Sequence, residues 1–161
     1  MNNILDIVKD LMEISIKKGL KISSAESCTA GLISKYLTDL PGSSKFFNSG
    51  IIVYSNESKN SLLNVSSELI SNKGAVSKDA VIEMSHGLIE KTNSDIVVSV
   101  SGVMGPSIEQ NEDKVGDVWF CWSSKTVDKA EFKKLYGDRE SNRQEAAKIA
   151  ILGLYDFIRA L

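Results

Sequence analysis

Two short apolar runs set among helical repeats constrain this chain more than any other feature. Gly50-Ile51-Ile52-Val53-Tyr54 and Asp95-Ile96-Val97-Val98-Ser99-Val100 are too short for ordinary helices and nearly continuous in apolar residues. That is the pattern of strands buried on both faces. A third strand is expected at about 20–24. Around these runs the period changes to that of a helix. Ile4, Ile7, Val8, Leu11 and Met12 recur at helical spacing, with Gly19 as the stop signal. Leu32, Ile33, Tyr36 and Leu37 form a second helical set, closed by Pro41-Gly42. Asn56 is expected to cap a helix from Glu57, and Ser77 one carrying Val81, Met84 and Leu88. A turn signal stands at Asn72-Lys73-Gly74. Segments 115–122 and 130–136 read as neighbouring strands, after an exposed loop at 107–114. The last helix is expected to open at Ser141-Asn142-Arg143-Gln144, with Ala147, Ala150, Ile151, Leu154, Ile158 and Leu161 inward. Early alternation followed by a hairpin predicts an α/β fold, a single layered domain over 1–161 with a mixed β-sheet flanked by helices.

Composition excludes several classes of function. The net charge of −2 lacks the basic excess of a nucleic-acid binder. One histidine and two distant cysteines, Cys28 and Cys121, cannot supply a zinc site, so no metal is expected. The same inventory allows a Ser-His-Asp triad only through His86, which falls opposite the Val81, Met84 and Leu88 face and reads as solvent-facing. The N-terminus lacks a leader pattern, and no apolar run approaches the ~20 residues of a membrane span. A reducing, cytoplasmic address with free thiols is therefore expected, with no membrane partner.

In open α/β sheets, functional groups collect at the carboxyl ends of strands. Ser27 stands at such an end, at or near a helix N-terminus, where unpaired amides can receive an oxyanion or phosphate. On spacing alone, Ser27 or Thr29 reads first as a helix cap. Tyr54 and Lys59 stand at the next strand end. A lysine of depressed pKa can serve a serine as base, although packing for Tyr54 and solvation for Lys59 remain the simpler reading. Cys28 reads as buried and unreactive. Gly102 and Gly105 bracket a loop after the third strand, where a ligand can approach the backbone. Arg139 and Arg143, around the start of the last helix, oppose its dipole; an anionic ligand or Asp138 and Glu140 can balance them.

Taken together, these segments resemble the CinA C-terminal domain family, the nicotinamide-nucleotide amidases. The likeness rests on Ala25-Glu26-Ser27-Cys28-Thr29-Ala30-Gly31 and on Gly42-Ser43-Ser44, Phe47, Gly50, Tyr54-Ser55-Asn56 and Lys59. Gly74-Ala75-Val76-Ser77, Ser101-Gly102-Val103-Met104-Gly105-Pro106 and Gly137-Asp138-Arg139 extend it over nearly the whole chain. The resemblance implies hydrolysis of nicotinamide mononucleotide to nicotinic acid mononucleotide and ammonia. It implies Ser27 as nucleophile with Lys59 and Tyr54 as its catalytic partners, and no cofactor. Thr29, Ser101, Gly102, Gly105, Arg139 and Arg143 are implied on the substrate side. The implied partner is a small nucleotide, with a homodimer as one admissible assembly.

One stretch departs from the family. Gly105-Pro106 is followed by Ser107-Ile108-Glu109-Gln110-Asn111-Glu112 and then Lys114-Val115-Gly116-Asp117, where family members carry glycines and Lys-Pro-Val-Gly-Thr. The alternative is a nucleotide-binding protein of this scaffold with weakened turnover. Negative charge in this loop is expected to repel a ribose phosphate and raise KM. Replacing Glu109 and Glu112 together by glutamine is therefore expected to lower KM, and raising ionic strength to narrow the difference. Steady-state ammonia release at two salt concentrations checks this.

Overall fold

The computed structural model describes residues 3–108 and 112–161. Five strands form one sheet: β1 Ile22–Glu26, β2 Phe47–Ile52, β3 Ile96–Gly102, β4 Asp117–Ser124 and β5 Asp128–Lys134. Their order is β2-β1-β3-β4-β5. β1 pairs in parallel with both β2 and β3, whereas β3, β4 and β5 are antiparallel. The helices are α1 Ile4–Lys18, α2 Leu32–Leu37, α3 Asn56–Leu63, α4 Ser67–Lys73, α5 Lys78–Thr92 and α6 Arg139–Ala160. The expected mixed sheet and late hairpin are present.

Strand alternation sorts side chains into two cores. Val98 and Val100 of β3 join Ile22, Phe120 and Trp122 on the face covered by α1, α2 and α6. Val97 and Cys121 face the other way, with Val81, Met84 and Leu88 of α5 and Leu63 of α3. The polar interruption at Ser99 is satisfied on the α5 side, where its hydroxyl donates to the Val81 carbonyl at 2.6 Å. Ser85 donates to Ser99 at 2.8 Å. A buried strand tolerates such residues because each polar atom finds a partner.

Several boundaries differ from the sequence reading, each for a physical reason. β1 begins two residues later than expected, so Ser27 immediately follows it. The 50–54 run is not a strand buried on both faces. β2 covers 47–52 at the sheet edge, pairs only with β1 and alternates between half-buried and exposed positions. Ser55 rather than Asn56 caps α3, because its hydroxyl reaches the Ser58 amide in a reciprocal capping box. The short helix α4, absent from the sequence reading, lies between them and α5. Asp138 caps α6 by accepting from the Ser141 amide at 2.8 Å, so that helix starts before the expected Ser141. Its inner stripe is buried as expected except for Leu161, which is exposed at the helix end. The departing loop includes Glu109, which lies outside the described residues. Asp117 of the same stretch is an ion-pair partner of Lys134 at 2.8 Å.

Gly153 shows how closely α6 lies on the sheet. A β-carbon there would fall on the Trp122 indole, a rigid ring whose Nε1 donates to the Ala150 carbonyl at 2.8 Å. Alanine favours a helix over glycine by about 1 kcal/mol. Overpacking costs about 1–3 kcal/mol. Gly153→Ala is therefore expected to destabilise the domain on balance, seen as a lower urea midpoint at unchanged slope.

Candidate functional site

All three parallel strands end on one edge of the sheet. The chain leaves β1 through α2 on one face and reaches β3 through α3, α4 and α5 on the other. Such a reversal opens a crevice at the strand ends. A cavity of about 250 Å³ lies there, with Ser27, Tyr54, Lys59, Ser101, Gly102 and Arg139 in its lining.

The floor of this cavity is organised by a residue that sequence reasoning passed over. Glu26, the last residue of β1, is 0% exposed. Its carboxylate accepts from the Gly31, Ile33 and Ser34 amides at 2.9, 3.0 and 2.8 Å. It also accepts from the Thr29, Ser34 and Ser24 hydroxyls at 2.7, 2.7 and 3.2 Å. The first-turn amides of α2 are therefore satisfied by a carboxylate from the preceding strand, which also suits the helix dipole. The chain turns back to allow this through Ala30 (φ 49°) and Gly31 (φ 98°), both in the left-handed region. Ser27, expected at or near a helix N-terminus, lies near that of α2 but not at it; residues 28–31 intervene, and the α2 amides face Glu26 rather than the cavity.

Ser27 is 7% exposed and Lys59 only 2%. Early in α3, Lys59 sends its side chain back beneath the strand ends. Its Nζ lies 3.0 Å from Ser27 Oγ, 3.0 Å from the Val53 carbonyl and 3.4 Å from the Tyr54 carbonyl. Carbonyls only accept, so a neutral amine spends both hydrogens on Val53 and Tyr54 and turns its lone pair to the Ser27 hydroxyl. Burial pushes the Lys59 pKa below its ordinary 10.5, opposed by the neighbouring Cys28. The Cys28 thiol, also chiefly through burial, is pushed up to about 12 and stays uncharged at neutral pH.

The remaining expected residues divide into those on the cavity and those behind it. Tyr54 stands at the mouth, 60% exposed, and its hydroxyl accepts from Arg139 Nη2 at 3.1 Å. Residue 54 meets Lys59 through its main-chain carbonyl. Arg139 also donates to the Gly105 carbonyl at 2.9 Å, tying the two rims together. Ser101 donates to the Ala75 carbonyl at 2.8 Å within the wall. Thr29 turns its hydroxyl to Glu26, and Arg143 donates to the Thr29 carbonyl at 3.3 Å. Thr29, Gly105 and Arg143 thus hold the walls. His86 is elsewhere, 2.8 Å from Asp128.

Besides Glu26, sequence reasoning missed Asn142. Its buried amide accepts from the Gly137 N–H at 2.9 Å and donates to the Met104 carbonyl at 3.1 Å, fixing the approach of α6 to the post-β3 loop. Glu26 had a visible signal, an acidic residue at the end of a strand five residues before a glycine-led helix. Asn142 had none, because the Met104 carbonyl it reaches belongs to a loop distant along the chain. Among the described residues, no group of three histidine, cysteine or acidic side chains is placed to hold a metal. Nor is any helix long and apolar enough to cross a membrane.

Fold and site together define an α/β domain built around a mixed five-stranded sheet, with a buried amine against a serine hydroxyl at its switch point. The chain belongs to the CinA C-terminal domain family, whose model matches residues 5–158. A nicotinamide-nucleotide amidohydrolase PncC from Enterobacter agglomerans is 40% identical over 160 residues, covering 94% of this chain and 98% of its own length. PncC of Escherichia coli K12 is 36% identical over 139 residues, covering 86% and 84%. Other relatives are longer: the chain spans 37% of a CinA-like protein from Petrotoga mobilis at 40% identity, matching 92% of its own residues. The crystal structure of a CinA superfamily protein from Klebsiella pneumoniae superposes with a TM-score of 0.94 at 27% identity, covering 99% of this chain and 100% of that one.

The depressed Lys59 pKa makes the pair sensitive to pH. Only the unprotonated amine accepts the Ser27 proton, so activity requiring it rises with pH along a limb centred below 10.5. Unfolded Lys59 would still hold its proton in the window between the depressed pKa and 10.5. The unfolded state binds more protons there, so the penalty on stability is full below the depressed pKa and fades as pH rises. Lys59→Arg keeps the charge but holds its proton, and is expected to lower kcat about 10²–10⁴-fold and to remove the limb. A pH–rate profile of both proteins checks this.

Proposed function

We propose that this chain hydrolyses the carboxamide of nicotinamide mononucleotide, releasing ammonia and nicotinic acid mononucleotide. The observation that carries the reading is the buried Lys59 amine 3.0 Å from Ser27 Oγ, with its other two partners fixed as main-chain carbonyls. Family membership and the nicotinamide-nucleotide amidohydrolase name of relatives that match most of this chain support the substrate.

Neutral Lys59 removes the Ser27 proton as Oγ bonds to the carboxamide carbon. The amide C–N bond then breaks, Lys59 returns the proton to the departing nitrogen, and ammonia leaves an ester on Ser27. Water, deprotonated by Lys59, hydrolyses that ester and restores the serine. Atoms and charge balance with the residues present and water, so the scheme calls for no cofactor. Direct transfer from Ser27 to Lys59 is the shorter route, since the Tyr54 phenol is engaged by Arg139. We assign Tyr54 to the cavity mouth, where its ring covers the substrate. Arg139, with Ser101 and Gly102 on the lining, is the cation best placed for the ribose phosphate. The free thiols Cys28 and Cys121 suit a reducing cytoplasm.

The test is ammonia release from nicotinamide mononucleotide by purified protein and by Ser27→Ala. Ser27 does not cap α2 in this fold, so the variant is expected to keep its melting temperature within a few degrees while losing turnover by about 10³-fold or more. Binding without turnover in the wild type would favour the nucleotide-binding reading, and full activity in Ser27→Ala would remove the nucleophile.

A further inference from the structure

An acyl transfer at Ser27 needs donors for the oxyanion, and the amides of α2, bound to Glu26, cannot serve. Most main-chain N–H groups of the turn already have acceptors. Ser27 donates to the Val100 carbonyl at 3.1 Å and Ala30 to the Ser27 carbonyl at 3.1 Å. Leu32 donates to the Thr29 carbonyl at 3.1 Å. Gly31, Ile33 and Ser34 donate to Glu26. Among the described residues, no oxygen accepts from the amides of Cys28 or Thr29. Both residues are buried, and buried N–H groups without an oxygen partner are rare enough to require a reason.

We infer that the backbone amides of Cys28 and Thr29 are the oxyanion site for acyl transfer at Ser27, an assignment that rests on the amidase reading above. Two observations converge on it. The Cys28 amide directly follows the nucleophile in the chain, so its N–H stays within reach of a carbonyl bonded to Oγ. Cys28 lines the cavity, and the partner that both amides do have is its thiol sulfur, a weak acceptor that a developing oxyanion outcompetes.

The turn is also held rigid on every side. Glu26 takes the Thr29 hydroxyl and the next three free amides, Arg143 takes the Thr29 carbonyl, and Ala30 adopts a left-handed conformation at φ 49°. Donors fixed before the reaction begins need no reorganisation as charge develops, which is what makes them effective. As Oγ bonds to the carbonyl carbon, the π electrons move onto oxygen and the two amides receive it. When the C–N bond breaks, the carbonyl re-forms and the donors are released. Glu26 and Arg143 touch neither substrate nor reacting atoms in this scheme and act as positioning residues.

Amide-to-ester replacement tests the assignment without altering a side chain. The α-hydroxy counterparts of Cys28 and Thr29 are installed one at a time, and the lactate counterpart of Ala30 serves as an ester control in the same turn. Each of the first two is expected to lower kcat for nicotinamide mononucleotide by about 10²–10³-fold, with KM changed less than about threefold. The Ala30 ester, which loses only the bond to the Ser27 carbonyl, is expected to lose less than tenfold. Retained kcat in both the Cys28 and Thr29 esters, or an equal loss in the Ala30 ester, overturns the assignment. Acylation by p-nitrophenyl acetate is measured in parallel, because it needs Ser27 and the oxyanion donors but no nucleotide. A wild type that is silent towards the nucleotide yet acylated by the ester sinks the substrate reading while the amide test still reads out. A wild type silent to both overturns the nucleophile and the oxyanion site together.

Discussion

A carboxylate with no exposed surface persists inside this domain because six donors close around it. Removing an ionised carboxyl from water carries a penalty of several kcal/mol, and only a full complement of hydrogen bonds offsets it. Glu26 obtains that complement from the start of α2 and its own strand. In doing so it fixes the direction of α2 and the left-handed turn that follows Ser27. A strand-to-helix junction that is ordinarily loose becomes a rigid frame, and the nucleophile stands on it.

Lys59 presents the opposite solution to the same problem. It is nearly as buried as Glu26, yet its nearest partners are two carbonyls and a hydroxyl, with no carboxylate. Uncompensated burial pushes it towards the neutral form, which is the form that accepts a proton. One ionisable group is ringed by hydrogen-bond donors, and another is steered towards neutrality by burial without a carboxylate partner. The fold makes this contrast possible because β1 and β2 are adjacent and parallel, so the residues following each strand meet at one edge.

Arginines at the start of α6 connect this edge to the antiparallel half of the sheet. Arg139 reaches Tyr54 and Gly105, and Arg143 reaches Thr29, so one helix terminus braces three loops. Cations there oppose the helix dipole, a cost lowered by the Asp138 cap and by the carbonyls they engage. The family resemblance implies both arginines on the substrate side, while their spacing alone leaves an anionic ligand or Asp138 and Glu140 as balancing partners. The structure instead divides them, with Arg139 on the cavity and Arg143 behind the nucleophile turn.

Periodicity in the sequence was enough to determine the layered α/β class, the inward faces of α1, α5 and α6 and the late hairpin, because hydrophobic burial imposes its spacing locally. The motif around Ser27, Tyr54 and Lys59 likewise carried the family. What the sequence alone left open was decided by contacts between residues far apart in the chain. The edge position of β2 depends on which strands pair, and an apolar run looks the same at an edge as in the centre. The Lys59 amine against Ser27 and the Asn142 bridge to Met104 join segments only the tertiary fold brings together, whereas the Glu26 contacts with the α2 amides are local and depend on the left-handed turn between them. Local propensity sets which elements form; the satisfaction of buried polar groups, a property of the whole packing, decides what those elements present to a substrate.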